Sequence, residues 1–515
     1  MRTVNWIGIS LGFVTLGMLT QGVGCYDQSS DCTLFACASG SGTGSSTSSS
    51  TSSTATGGTP MNCIPSEDPK TAVDASCGVF VSATGDDGAT GAQDKPVQSL
   101  KQAVMLALNG EKRIYACAEE FVGTVELPAG LTVYGGLACG ATARSWLYVG
   151  GKAKTTLTAD AERIPLSLAS GAGTKLFDLH VIAKAALNAG GSSIAVVADQ
   201  VTAEVSRCLF EAADGKAGAQ GKPYSSAASA GSMGVKGGDA CSMNTVAGGD
   251  PVASMCGVPD STSGNGGSGF AASGGNGSSG LPDGVMNFGT GEGASACTTG
   301  TKGNDGIPGV PGPGATGLGV ISKNGFAGVI GMPGLIGPPG QGGGGGGGAK
   351  GGGGALKCPG ATTGGAAGGS GGSGGCGGAG GKGGNPGGSS IALLSLSSAL
   401  TFSQVTLTTG KGGDGGDGGA GQDGGFGGSP GTGGAATGMS GLNPGCSGGP
   451  GGSGGKGGKG GGGLGGHSLA IAFMGNAPAK DGWTATTGTF GAGGLGGDAA
   501  GEGAPGVKAD MQEFK

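Results

Sequence analysis

The sequence predicts an all-β fold, a solenoid of stacked coils into which long glycine-rich segments are inserted. A recurring phrase is the first observation, because each copy runs through about 20 residues of strand-like sequence into a glycine tract. The copies begin with Ser192-Ser193-Ile194-Ala195, Ser389-Ser390-Ile391-Ala392 and His467-Ser468-Leu469-Ala470. Composition is the second observation: glycine accounts for 133 of 515 residues and charged residues for only 12%, so one ordinary compact core cannot include the whole chain. We therefore interpret the glycine tracts as excursions from one recurring corner of a coil.

One amphipathic helix is predicted ahead of the strands. It covers residues 97–108, where Val97, Leu100, Val104 and Ala107 fall at helical spacing, with Pro96 placed to start it and Gly110 to end it. From residue 113 onward the apolar pattern changes to the period of β structure. The predicted strands lie at residues 114–117, 124–127, 131–134, 155–158, 166–168, 179–181, 194–197 and 205–210. Because turns rather than helices separate them, and no two-residue hairpin turns join them, successive coils of a solenoid fit better than a meander.

The N-terminus predicts export. Arg2 gives a short positive segment, and residues 6–20 are apolar but too short for a stable membrane span. The following Gly22-Val23-Gly24-Cys25 resembles the lipobox of bacterial lipoproteins, which implies a signal peptide of residues 1–24 and a lipid on the cysteine. Gly22 stands where that motif usually has leucine, so ordinary signal cleavage and secretion are the alternative.

The cysteines favour an oxidising compartment. Apart from Cys25 there are 13, an odd number that predicts at least one free thiol or intermolecular bridge. No C-x-x-C spacing suggests zinc, and the chain has only 2 histidines, so disulfides are the better interpretation. The preferred pairs are Cys63 with Cys77 and Cys117 with Cys139. The second pair is 22 residues apart, close to one coil of a repeat, so its members would stack.

Composition divides the chain into alternating segments. Residues 25–62 form a Ser/Thr/Gly-rich tether, 63–214 the capped solenoid, 215–388 a glycine-rich and partly collagen-like insertion, 389–409 a returning coil, 410–466 a second insertion, and 467–515 the final coil and C-terminal tail. The insertions are interpreted as solvated low-complexity loops, with extended polyproline- or polyglycine-type segments packed beside the solenoid as the alternative. Although they are far apart in sequence, Ile194, Ile391 and Leu469 are predicted to stack in the solenoid interior.

Several segments carry a family resemblance. Asp86-Asp87-Gly88, Pro96-Val97-Gln98-Ser99-Leu100, Ile114-Tyr115-Ala116 and Leu131-Thr132-Val133-Tyr134-Gly135-Gly136 resemble the start of bacterial pectin-lyase-like proteins. This resemblance implies a right-handed parallel β-helix whose open first coil is capped by the 97–108 helix. Together with the lipobox, glycine blocks such as residues 374–381 are similar to those of glycine-rich, PGRS-like surface lipoproteins of myxobacteria.

The candidate polar residues lie on or beside the predicted strands. Asp178 and His180 are two apart, so on a strand their side chains share one face, and a carboxylate beside an imidazole is a general-base arrangement. The resemblance implies that a polysaccharide lyase would use clustered acids for calcium and a lysine or arginine as base. The acids and bases available are Asp178, Asp199, Asp214, Arg163 and Arg207. Their spacing indicates no such cluster, so solvated or salt-bridged surface charge is the preferred interpretation.

Calcium is a weaker alternative in the second insertion. Residues 412–417 and 418–423 approach the calcium-binding pattern G-G-x-G-x-D, with Asp414, Asp417 and Asp423 as the carboxylates. Gly425 stands where a large apolar residue should pack, and such sites need several tandem copies. We therefore expect no metal or other cofactor.

These features predict a non-enzymatic cell-envelope lipoprotein, structural or adhesive, which presents glycine-rich tracts from a β-helix scaffold. The alternative is a carbohydrate-active enzyme, either a polysaccharide lyase or a hydrolase, or a glycan-binding module on the exposed face. The expected location is the outer membrane or cell surface. The expected partners are the membrane, through the lipid, and envelope polysaccharide or other surface proteins. Nucleic acid is excluded because arginine is absent after Arg207 and the lysines are scattered. Convergence of Asp178, Asp199 and Arg207 in one groove would favour the enzyme.

Overall fold

A computed structural model describes residues 62–67, 71–139, 145–257, 259–282, 284–352, 358, 360–436 and 441–515. All of them belong to one compact unit, Pro60–Lys515. The predicted signal peptide, Cys25 and nearly all of the predicted tether lie outside the described residues.

Short strands dominate, and the fold is nearly all β, as predicted. In chain order the strands are β1 (Val79–Val81), β2 (Arg113–Cys117), β3 (Glu120–Val122), β4 (Val125–Leu127), β5 (Thr132–Ala138), β6 (Leu147–Tyr148), β7 (Thr155–Thr158), β8 (Leu166–Leu168), β9 (Gly171–Phe177), β10 (Leu179–Ala183), β11 (Ser193–Asp199), β12 (Val201–Ser206), β13 (Leu209–Ala212), β14 (Ala253–Ser254), β15 (Ser261–Thr262), β16 (Val320–Ser322), β17 (Gly325–Ala327), β18 (Ser390–Leu396), β19 (Ala399–Ser403), β20 (Val405–Thr409), β21 (Ser468–Met474), β22 (Trp483–Thr486) and β23 (Lys508–Glu513). The helical elements are α1 (Leu100–Leu108) and a short 3-10 helix at Ala499–Gly501.

Most strands form three parallel sheets. In order of hydrogen-bonded neighbours, the first sheet is β1-β2-β5-β9-β12-β19, the second is β22-β20-β13-β10-β7-β3 and the third is β23-β21-β18-β11-β8-β4, while β6 pairs antiparallel with β5. From β7 to β13 the chain visits the second, third and first sheets in turn, so it winds in coils whose equivalent strands pair in parallel. Three excursions leave the coil after β13, β20 and β22, each time between the second and third sheets. This strand order agrees with the predicted single recurring corner.

The third sheet is buried on both faces. Its central strands β11, β18 and β21 are almost entirely buried, which is why they read as near-continuous apolar runs rather than alternating ones. Ile194 pairs with Ile391, and Ile391 pairs with Leu469, so the predicted stack is confirmed. Its predicted place in the solenoid interior is wrong. The three side chains form a second apolar cluster with Ile321 and Phe514, because hairpin β16–β17 and the C-terminus pack against that face of the sheet.

Helix α1 lies where a helix was predicted but begins later. Ser99 is its N-cap, and the Ser99 hydroxyl accepts a hydrogen bond from the backbone N–H of Gln102 at 3.1 Å. Val97, predicted as helical, instead bridges to Val81 in parallel fashion. The buried face of α1 joins the main apolar core through Leu100 and neighbours one turn apart, so the helix closes one end of that core.

The glycine-rich segments form an ordered hydrogen-bonded bundle. Every third residue of 334–340 donates its N–H to a carbonyl of 375–381 at 2.9 Å, and a period of three residues is that of an extended polyproline II-type helix. The same three-residue ladder joins neighbours throughout a set of segments that we call the polyglycine bundle: residues 215–240, 298–315, 329–351, 364–388, 410–435, 443–466, 489–496 and 501–506. The preferred expectation of solvated loops is therefore wrong. The physical reason is that glycine lets the backbones approach closely enough to bond to one another. A Cβ on Gly377, for example, would overlap the carbonyl oxygen of Gly337.

Glycine density follows the number of neighbours in the bundle. Residues 342–348 are all glycine and all buried, and their backbones bond to six surrounding segments, at residues 264–267, 275–281, 289–292, 298–301, 369–372 and 446–449. Earlier in the same segment, residues 331–340 bond to only three neighbours, and only every third residue there is glycine. A segment with more neighbours thus has room for fewer side chains per turn.

Five disulfides secure the described residues. Cys63 pairs with Cys77 and Cys117 with Cys139, which are the two preferred pairs. Three long-range bridges lie in or beside the bundle: Cys241–Cys358, Cys256–Cys376 and Cys297–Cys446. Cys208 is unpaired and buried, which agrees with the odd count.

Candidate functional site

The candidate residues Asp178 and Arg207 meet at a corner between the first and second sheets. Asp178 follows β9 and Arg207 follows β12, and the registers of these strands place the two residues on successive coils. Together with Gln404 on the next coil they turn with positive φ, at +56°, +53° and +56°. This is the left-handed conformation that turns the chain sharply, and side chains other than glycine adopt it uncommonly. The corner thus stacks a carboxylate directly against a guanidinium.

The Asp178 carboxylate is saturated by its neighbours. Arg207 donates from Nε to Oδ1 at 3.0 Å and from Nη2 to Oδ2 at 2.7 Å, and the Tyr148 hydroxyl donates to Oδ1 at 2.9 Å. Lys154 Nζ lies 3.6 Å from the same oxygen. Burial and the adjacent carboxylate raise the pKa of Tyr148 to about 12, and the hydrogen bonds to Asp178 raise the pKa of Arg207.

This arrangement leaves no role in proton transfer for Asp178. The Asp178 side chain is only 1% exposed, and both of its carboxylate oxygens already accept hydrogen bonds, from Arg207 and Tyr148. The cluster is suited to fixing the corner of two coils.

The other polar-face candidates lie apart from this cluster. His180 Nε2 lies 3.1 Å from a carboxylate oxygen of Glu211 on the next coil, at the surface. Asp199 ends β11 in the third sheet and precedes a different corner, where Gln200 has positive φ. Asp178 and Arg207 therefore converge, but Asp199 does not join them, and no common groove forms from the three.

The calcium candidates bind their neighbours in the bundle. Asp414 and Asp417 accept hydrogen bonds from the backbone N–H groups of Ala492 and Leu495, at 2.8 and 2.7 Å. Asp423 pairs with Lys456 at 2.9 Å. In the part of the chain that the structure describes, no group of three or more histidine, cysteine, aspartate or glutamate side chains could hold a metal ion.

A recurring Lys-x-x-Asp device was missed by sequence reasoning. In the pairs Lys236–Asp239, Lys302–Asp305 and Lys411–Asp414 the two side chains are one turn apart and form an ion pair. The aspartate also accepts a backbone N–H from the adjacent segment, as Asp305 does from Ser453 at 2.7 Å. The hydrogen bond from the Lys302 side chain lowers the pKa of the Asp305 carboxyl most, and the hydrogen bond from the Ser453 backbone N–H lowers it further. The spacing of three residues equals one turn of the extended helix. The repeated Lys-x-x-Asp pattern is therefore the sequence signal that could have revealed these ion pairs.

One outer face of the bundle is apolar. Ile307, Val310, Met332, Leu335 and Ile336 are each between 58% and 72% exposed. They lie on adjacent antiparallel segments, joined for example by a 2.9 Å hydrogen bond from Leu335 N to the Val310 oxygen. Prolines are interspersed among them, at positions 308, 311, 333, 338 and 339. Exposed apolar patches rimmed by polar residues commonly mark contact surfaces.

The comparisons with known proteins give no family. No protein-family model, no curated protein and no solved structure matches this chain.

One cavity lies away from all of these candidates. It has a volume of about 920 Å³ and lies between α1 and the outermost strands β3 and β4. None of Asp178, His180, Asp199 and Arg207 lines it. Among the described helices, none combines the length and apolar character needed to cross a bilayer.

Proposed function

We propose that the protein is a non-enzymatic cell-envelope lipoprotein with a structural or adhesive role. Its coils form a right-handed parallel β-helix, and this scaffold presents the polyglycine bundle. One observation carries the proposal: all three excursions leave at the same corner and their extended segments pack into one ordered bundle. A rigid bundle held on a rigid coil is a platform for display rather than a loose linker.

The state of the polar candidates supports a non-enzymatic role. The Asp178 carboxylate is buried and fully paired, and Asp199 lies at a different corner. Nucleophile, base and substrate groove would have to meet within hydrogen-bond reach in an active site. The described candidates do not meet this requirement.

The apolar face of the bundle supports an adhesive role. A proline has no backbone N–H. The prolines in residues 308–339 therefore cannot donate the kind of hydrogen bond by which a further extended chain would add to the bundle. Side-chain contact with an outside surface remains available to Ile307, Leu335 and Ile336, which are all well exposed. We infer that this face makes contacts at the cell surface, while Cys25 carries the lipid and residues 25–62 give reach.

Fatty-acid labelling tests the location. The wild-type protein should incorporate a labelled fatty acid, Cys25→Ala should lose the label, and Cys32→Ala should keep it. An unlabelled wild-type protein would mean secretion in soluble form and would contradict the anchored role.

Surface attachment tests the adhesive role. Cells that display the variant Ile307→Ser, Leu335→Ser, Ile336→Ser should be retained on a test surface severalfold less than cells with the wild-type protein. The matched control replaces Met233, Met255 and Met286 with serine, because these side chains are at least 70% exposed but do not belong to the face. Equal retention of all three strains would remove the adhesive interpretation.

A further inference from the structure

A second, smaller pocket lies where the first excursion docks onto the coil. It has a volume of about 350 Å³. One wall comes from the β7–β8 and β10–β11 connections, at residues 162–164 and 188–192, and the other from the turn of hairpin β16–β17, at residues 324–326. Ligand pockets in proteins span roughly 300–1,000 Å³, so the volume suits a ring of monosaccharide size.

The walls of this pocket are fixed by packing and hydrogen bonds. The Phe326 ring stands edge-on to the rings of His467 and Phe514, with centroids 5.1 and 6.3 Å away. Gly325 turns with φ of +111° and approaches the Ile194 side chain, which seats the hairpin against the third sheet. On the opposite wall, a carboxylate oxygen of Glu162 accepts the N–H groups of residues 187 and 188 at 2.9 and 2.6 Å. The pocket is therefore preorganised.

Arg163 supplies an uncommitted cation at the rim. Of the arginines that the structure describes, Arg113 pairs with Glu111 and Arg207 with Asp178. Arg163 has no carboxylate partner among the described residues, and it is exposed where it lines the pocket. A guanidinium presents a planar fork of donors that matches a carboxylate bidentately. The lining also includes three neutral polar residues, Asn188, Ser192 and Asn324.

We propose that this pocket binds a carboxylated sugar. Arg163 pairs with the sugar carboxylate, and the Phe326 ring packs against the apolar face of the sugar. The Asn188 amide nitrogen already donates to Glu162, so Asn188 accepts from a ring hydroxyl through its amide oxygen, while Asn324 bonds the ring hydroxyls from the opposite wall. The nearby Glu162 carboxylate disfavours a doubly charged group such as phosphate, whereas a single carboxylate facing Arg163 is tolerated. As a ligand class for the adhesive role this inference rests on the proposed function, but the binding itself is independent of any lipid or membrane.

Calorimetric titration of the purified full-length protein tests the site. D-glucuronic acid and N-acetylneuraminic acid are the carboxylated probes, and glucose is the neutral control. We expect binding of at least one acid and none of glucose. A charged hydrogen-bonded pair contributes ~1.5–3 kcal/mol, and each 1.4 kcal/mol is about tenfold, so Arg163→Gln should weaken the acid about 10- to 100-fold. Arg163→Lys should restore only part of the affinity, since an ammonium lacks the bidentate fork.

Two further variants separate the site from general charge and from misfolding. Asn324→Ala, on the wall contributed by the excursion, should weaken binding severalfold, while Lys480→Gln, an exposed cation on another loop, should leave it unchanged. Equal affinity of Arg163→Gln and wild type at matched melting temperature, equal binding of glucose, or no binding of either acid would each overturn the proposal. Loss of acid binding with intact lipidation and attachment would refute this site alone. Retained acid binding without attachment would refute the adhesive role alone.

Discussion

Gly345 lies at the centre of the polyglycine bundle, and a single methyl group there should disrupt it. In Gly345→Ala the new Cβ would overlap the carbonyl oxygen of Asn265. The glycine also donates to Ser278 O at 2.9 Å and accepts from Gly289 N at 2.7 Å. Overpacking of a rigid interior costs ~1–3 kcal/mol, and the two strained hydrogen bonds add ~1 kcal/mol each. We expect a loss of ~3–5 kcal/mol in the free energy of unfolding of the bundle.

Urea unfolding with the disulfides intact measures this loss, and hydrogen exchange at residues 342–348 localises it. The matched control is Gly293→Ala, because no atom lies within 4 Å of the added Cβ and the glycine does not need positive φ. That change should be neutral or stabilise by ~0.4–1 kcal/mol through the unfolded state. If Gly345→Ala proves as stable as Gly293→Ala, the close-packed bundle is refuted.

Three other predictions concern buried polar and titratable groups. Asp178→Asn should destabilise the coils by ~2–3 kcal/mol. This is below the usual cost of breaking a buried pair, because the Arg207 side chain is 38% exposed. The control Asp199→Asn should change the free energy of unfolding by less than ~0.5 kcal/mol. Burial lowers the pKa of His467, whose Nδ1 accepts from Val507 N at 2.8 Å, so the neutral ring is favoured when folded. The stabilisation from the neutral His467 ring should be complete above the ordinary histidine pKa of about 6.5 and lost as pH falls below that value. The melting temperature should therefore drop from pH 7 to pH 5 in the wild type and drop less in His467→Gln. Burial also raises the pKa of the Cys208 thiol to about 12, so iodoacetamide at pH 8 should alkylate Cys208 only in denaturant, and rapid native alkylation would contradict its burial.

The coils could be predicted from the sequence because their strands have recognisable patterns of side chains. Alternating apolar residues marked the strands, and the repeated Ser-[Ile/Leu]-Ala phrase marked the register that pairs Ile194 with Ile391. The side of the sheet could not be predicted. Strands buried on both faces show no alternation, and the covering hairpin comes from residues 320–327, deep within a glycine-rich segment.

The bundle and the polar clusters could not be predicted from the sequence, because both depend on which segments lie side by side in three dimensions. Glycine has no side chain to show a pattern, so an ordered bundle and a solvated loop look alike in composition. The contrast between the all-glycine run 342–348 and the one-in-three spacing of 331–340 does encode neighbour number, but only once the packing is known. In the same way Asp178 and Arg207 are 29 residues apart, and only the coil length brings them together.

Hydrogen exchange across residues 364–388 tests the central claim most directly. In the native protein this segment bonds to neighbours on several sides, for example through Gly378 N to Gly455 O and Gly381 N to Gly458 O, at 2.9 and 2.8 Å. The ordered bundle predicts that its bonded amides exchange over hours, as slowly as those of β11 and β18. Exchange within seconds, at the rate of an unstructured glycine-rich chain, would contradict the bundle and the display function built on it.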